Sequence, residues 1–117
     1  MELIVSELLQ SDEPIIRYKA LAYLKPQPAA PAELQAARQA IAASARVRAL
    51  LAHRAADGSI PLHAYNKWMG AHWVLGQLAD VEYPAGDTSL TPLREQVLHW
   101  LFSKDHTDKI QTIDGRT

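Results

Sequence analysis

Seven prolines punctuate the chain, and with Asp57-Gly58 and the Pro84-Ala85-Gly86-Asp87 cluster they cut its 117 residues into short stretches. Proline lacks the backbone donor and pushes the residue before it to an extended conformation, so no long helix can run through these points. Between the breaks the apolar residues recur with a helical period. Ile4, Val5, Leu8 and Leu9 share one side of a first short helix. Ala71, Val74, Leu75 and Leu78 follow the i, i+3, i+4, i+7 pattern in a later one. Valine, isoleucine and threonine never alternate with polar residues for long enough to make a strand. The expected fold is therefore all-α, a succession of helical hairpins.

Local signals place the helix starts. Ser11 or Asp12 can cap a second helix with Pro14 in its first turn, running to about Leu24. Its inward stripe is expected to be Ile16, Ala20, Tyr23 and Leu24, with Arg17 and Lys19 toward water. The Lys25–Pro31 stretch, KPQPAAP, is a linker. Glu33–Ala43 is alanine-rich and helical by propensity, with Leu34, Ala37 and Ile41 inward. Ser44 caps the next helix, turning Val47, Leu50 and Leu51 in and Arg46, Arg48 and Arg54 out. Thr91-Pro92 starts the last strong helix, which carries Leu93, Val97, Trp100 and Leu101 inward as far as Phe102, with His99 toward its core side. From Lys104 the chain is polar, so residues 1–103 are expected to form the helical domain and 104–117 a polar tail.

The formal net charge of -1 supplies no field to attract nucleic acid, and none is expected as a partner. The absence of cysteine excludes disulfides, thiolate catalysis and cysteine-ligated zinc. Met1–Leu9 has acids at Glu2 and Glu7 and no basic segment, unlike a secretory signal. No apolar run approaches the roughly 20 residues of a membrane span, and the expected location is cytoplasmic.

Two stretches carry chemical interest. In Asp57-Gly58-Ser59 the glycine can take positive φ and the aspartate can accept backbone amides, which favours a structural turn over a catalytic carboxylate. In Trp68-Met69-Gly70-Ala71-His72-Trp73, two indoles flank a glycine that permits close backbone approach. Trp68, His72 and Trp73 are the ligand-binding candidates, because aromatic surface with a polar handle can line an apolar pocket or stabilise a cation, although the spacing favours the two indoles as core filling over that role. His53, His63 and His72 lack the spacing of a metal motif, so no metal is expected, and the absence of phosphate loops removes nucleotide cofactors. No serine sits in a nucleophile elbow. His106-Thr107-Asp108 reads as a solvated polar run. Asp114-Gly115 echoes Asp57-Gly58 and marks the start of another unit if the chain is built of repeats.

Val47-Arg48-Ala49-Leu50-Leu51 through Asp57-Gly58-Ser59, then Lys67 to Leu75, Leu78-Ala79-Asp80, Tyr83-Pro84 and Trp100-Leu101, resembles the α/α-toroid repeats of squalene and terpene cyclases and of protein prenyltransferase β subunits. The likeness covers roughly residues 11 to 115 and is closest to bacterial repeat proteins without an assigned reaction. It implies paired helices in concentric rings, of which this chain looks like an N-terminal part. In the family's Gln-x-x-Asp-Gly-x-x-Trp turn, Asp57 and Gly58 match, while Arg54 stands for the glutamine and Ile60 for the tryptophan. The cyclases' Asp-x-Asp-Asp acid, the synthases' Asp-Asp-x-x-Asp cluster and the prenyltransferases' cysteine zinc ligand have no counterpart here. The resemblance therefore implies a noncatalytic helical module that binds an apolar ligand or a protein partner. The alternative is a part of an isoprenoid-processing enzyme whose acids lie outside this chain. An incomplete ring leaves apolar helix faces uncovered, so a homo-oligomer is also expected.

Overall fold

The computed structural model describes residues 2–109. Among them the secondary structure is helical throughout, with no strand: α1 (Glu2–Leu9), α2 (Pro14–Tyr23), α3 (Pro31–Ala42), α4 (Ala45–Leu51), α5 (Ala71–Asp80), a 3-10 turn at Thr88–Leu90, α6 (Thr91–Leu101) and α7 (Lys104–Thr107). None of these helices is long and apolar enough to cross a membrane. The all-α expectation holds; the echo at Asp114-Gly115 lies outside the described residues.

The chain divides into two compact units. The first is built from residues up to Ala52 together with Gly76–Asp87, and the second from His53–Leu75 and the residues from Thr88 onward.

In the first unit α2 packs against both α1 and α3. Its start lies one or two residues later than the Ser11 or Asp12 cap: the Glu13 side chain accepts the Ile15 N–H at 3.4 Å, Pro14 follows, and Ser11 Oγ accepts the Glu13 N–H at 3.2 Å. The inward face of α2 is also different. Ile15, Tyr18, Ala20 and Leu21 are buried, whereas Ile16, Tyr23 and Leu24 are exposed. This helix is apolar on nearly every side, so hydropathy does not choose its face; the positions of α1 and α3 do. On α1 the same contest buries Val5 and leaves Ile4 exposed. Arg17 and Lys19, expected to point to water, both cap backbone carbonyls, Arg17 at Ser11 and Lys19 at Asp80, the latter at 2.9 Å.

α3 begins with Pro31 in its first turn and buries Ile41 completely. Ser44, itself buried, caps α4 by accepting the Val47 N–H at 3.2 Å, and Val47 is buried beneath it. In the same unit the chain leaves α5 through Glu82, which lies two residues past the helix's last residue and takes a left-handed φ of 59°. The Tyr83 N–H reaches the Leu78 carbonyl and the Glu82 N–H reaches Ala79, each at 3.0 Å, the paired bonds of a Schellman ending. A non-glycine residue at that position is strained, and three side chains hold it there. Arg38 Nε donates to the Glu82 carbonyl at 2.9 Å, Lys19 caps Asp80, and the Tyr23 hydroxyl donates to the Glu82 carboxylate. The two cations also complement the negative end of the α5 dipole.

In the second unit Ile60, Ala64, Ala71, Val74 and Leu93 are buried. α6 packs on the 3-10 turn and on α7. Pro92 occupies the first turn of α6 as expected, yet Leu90 stands at the cap position and no side chain caps that end, because the 3-10 turn already leads into it. Leu101 and His99, expected inward, are exposed. At the start of the polar stretch Ser103 Oγ accepts the His106 N–H at 3.2 Å and starts α7.

Candidate functional site

Asp57-Gly58 makes the expected turn. The Gly58 N–H donates to the Ala55 carbonyl at 2.9 Å, the Ala55 N–H to the Ser59 carbonyl at 2.7 Å, and Gly58 adopts φ +86°. A Cβ on Gly58 would stand 2.9 Å from Pro92 Cγ, so the turn needs glycine for space as well as for conformation. Asp57 Oδ1 accepts from both the Ser59 hydroxyl, at 2.6 Å, and the Ser59 N–H, at 2.9 Å. These bonds, the hydroxyl's first, hold the Asp57 carboxyl below its ordinary value. A carboxylate so engaged is an acceptor that orders a turn, in the wrong protonation state for a proton donor.

The turn delivers Ile60, whose side chain is fully buried and whose backbone is gripped by one side chain of α6. Gln96 Oε1 accepts the Ile60 N–H at 2.9 Å, and Gln96 Nε2 donates to the Ile60 carbonyl at 2.7 Å. The amide thus pairs with Ile60 as a neighbouring strand would. Arg54 donates to the Ser89 carbonyl at 3.3 Å.

Beyond Ile60 the loop folds onto itself before α5. The His72 N–H donates to the Ala64 carbonyl at 3.0 Å, the Gly70 N–H to the Asn66 carbonyl at 2.8 Å, and the Asn66 N–H to the His63 carbonyl at 2.9 Å. Gly70 is buried under this backbone: a Cβ there would lie 2.5 Å from the His63 carbonyl oxygen and 2.7 Å from that of Ala64. The loop presents Tyr65 and Trp68 to the first turn of α5. Trp68 packs on Trp73, with ring centres 4.9 Å apart, and Tyr65 touches His72 at 5.0 Å and Trp73 at 5.5 Å. The Trp73 indole N–H donates to the Tyr65 carbonyl at 3.3 Å. From α6, Trp100 stacks on Tyr65 at 5.3 Å and meets His63 edge-on at 5.7 Å, and the ring centre of His106 on α7 lies 4.6 Å from that of Trp100.

The three candidates Trp68, His72 and Trp73 therefore stand together in one aromatic cluster. Trp68 is not in the core. It is 60% exposed, its backbone takes a left-handed φ of 70°, and the Lys67 ammonium lies 5.3 Å from its ring centre. Bulky side chains rarely adopt that conformation, which costs about 1–2 kcal/mol. Trp73 and His72 are half-buried. His63 and Tyr65 from the same loop and Trp100 and His106 from α6 and α7 complete the cluster; nothing in the spacing of the last two shows that their helices return to the loop. His106, expected to be solvated, is half-buried against Trp100. Among the described residues no group of three or more histidine or acidic side chains converges as metal ligands would. No family model matches the chain, and no curated protein or solved structure shows significant similarity to it.

Proposed function

We propose that the chain is a noncatalytic helical module, a partial α/α toroid, whose aromatic surface in the second unit binds an apolar ligand. The observation that carries this reading is Trp68: a large indole kept at the surface by a left-handed backbone. Exposure forgoes most of the burial that ordinarily stabilises a tryptophan, and the backbone adds strain, a combination characteristic of binding sites rather than of packing. Tyr65, Met69 and Leu62, all exposed on the same loop, extend the apolar area around it. The isoprenoid-processing alternative draws no support from Asp57, whose carboxylate is spent on Ser59.

The test is tryptophan emission during titration with farnesol, a flexible apolar alcohol, for the wild type, Trp68→Ala and Trp68→Gly. Wild type should quench saturably and both variants should lose at least about tenfold in affinity, the equivalent of about 1.4 kcal/mol. Glycine is at ease at positive φ, so Trp68→Gly should be more stable than Trp68→Ala by roughly 1 kcal/mol. Equal farnesol affinity in all three proteins would remove Trp68 from the site. Unfolding of both variants would make Trp68 a structural residue of the loop and end the ligand-binding reading.

A further inference from the structure

Three imidazoles surround one indole. The Trp100 ring centre lies 5.7 Å from His63, 6.3 Å from His72 and 4.6 Å from His106. Histidine is the side chain whose charge ordinarily changes between about pH 5 and 8. His63 differs from the other two in what its ring nitrogen does: Nδ1 accepts the Tyr65 N–H at 3.0 Å. A nitrogen that accepts carries no proton, so this bond exists only while the imidazole is neutral. Tyr65 is the ring that joins the rest of the cluster, touching His72, Trp73 and Trp100.

We infer that His63 is a proton-operated latch on the aromatic surface. Neutral, it holds the 63–66 turn in the form that stacks Tyr65 on Trp100. Protonated, Nδ1 becomes a donor facing a donor and that bond is lost; the 63–66 turn is then left to the Asn66–His63 backbone bond, and Tyr65 is loosened in the stack. The neighbouring imidazoles respond differently to acid. A cation at His72 or His106 faces aromatic rings that attract positive charge, so protonation there does not break those contacts. The charged side chains near the latch do not offset a His63 cation: Lys67 in the same loop shares its sign, while Asp105 and Asp108, on either side of His106, are paired with Lys109 and Lys104. Regulation of ligand binding by this latch rests on the function proposed above, whereas the latch itself does not.

The test compares wild type with His63→Asn, whose side-chain oxygen can accept the Tyr65 N–H and does not titrate. Amide and ring resonances of Tyr65 are followed by NMR from about pH 8 to 5, across the range in which histidine titrates. In the wild type the Tyr65 amide and ring signals should shift together with the His63 ring nitrogens, and farnesol affinity should fall roughly three- to tenfold, the weight of one hydrogen bond. In His63→Asn both should stay flat. An unchanged transition in His63→Asn would overturn the proposal, as would its disappearance in His106→Gln with His63 intact. If farnesol fails to bind at every pH, the ligand reading falls and the Tyr65 resonances still decide the latch.

Discussion

The Gln96 amide clamps the second unit's loop at both backbone groups of Ile60. Its two bonds to Ile60, at 2.9 and 2.7 Å, satisfy the N–H and the C=O of a residue whose own side chain is wholly inaccessible to water. Each such bond contributes roughly 0.5–1.5 kcal/mol net, and a buried backbone group left unpaired costs about 1–3 kcal/mol. Gln96→Leu keeps the bulk and the helix propensity but leaves both groups unpaired. Part of that cost is recovered where water reaches the half-buried edge of Gln96, so the expected loss is about 2–4 kcal/mol, a large share of the 5–15 kcal/mol typical of a domain. Urea unfolding followed by far-ultraviolet circular dichroism reads it directly: with a slope of about 1–3 kcal/mol per molar, the midpoint should drop by roughly 1–2 M while the slope is unchanged. Gln96→Glu sharpens the test. An ionised carboxylate can still accept the Ile60 N–H but faces the Ile60 carbonyl oxygen without a proton to donate. Folding therefore favours the protonated acid and raises its folded pKa. The restored stability is fully present below the unfolded value of about 4.3 and is lost as pH rises through the folded one. Gln96→Leu within about 0.5 kcal/mol of wild type, the ordinary range of a surface change, would show that the clamp is not a stabilising element.

Two further perturbations have defined outcomes. Gly70→Ala drives a methyl group into the backbone oxygens of His63 and Ala64, which cannot move as a side-chain end can, and should cost about 1–3 kcal/mol and shift the Tyr65 and Trp68 resonances; an unperturbed spectrum would contradict the packing of the loop. Asp57 is held below its ordinary pKa by Ser59, so its contribution is present above the unfolded value of about 3.9 and disappears as pH falls through the lower folded value. The difference in melting temperature between wild type and Asp57→Asn should accordingly narrow below about pH 4, and a difference that persists unchanged into strong acid would sever Asp57 from the turn.

What was legible in the sequence is what depends on a few adjacent residues. Pro14 starts α2, Ser44 caps α4 through Val47, the i, i+3, i+4, i+7 pattern of α5 buries Ala71, Val74 and Leu78, and Asp57-Gly58 turns the chain. Each is decided by bonds and torsions within one turn of helix or one tight loop, so the residues themselves suffice. Trp68, His72 and Trp73 were recognisable as an aromatic group for the same reason, lying within six consecutive positions.

Tertiary structure decided the rest. The face of α2 followed α1 and α3, because a helix apolar on nearly every side has no distinct stripe of its own and buries what its neighbours cover. Gln96 came to pair with Ile60, and Trp100 came to the Tyr65 loop, through contacts between segments 30 or more residues apart. Such contacts leave no periodic mark, since the hydrogen bond or ring contact is made by two residues that each look ordinary in their own neighbourhood. The sequence determined where helices begin, turn and end; only the packed chain determined which rings meet, because meeting depends on where distant segments are brought by the burial of everything between them.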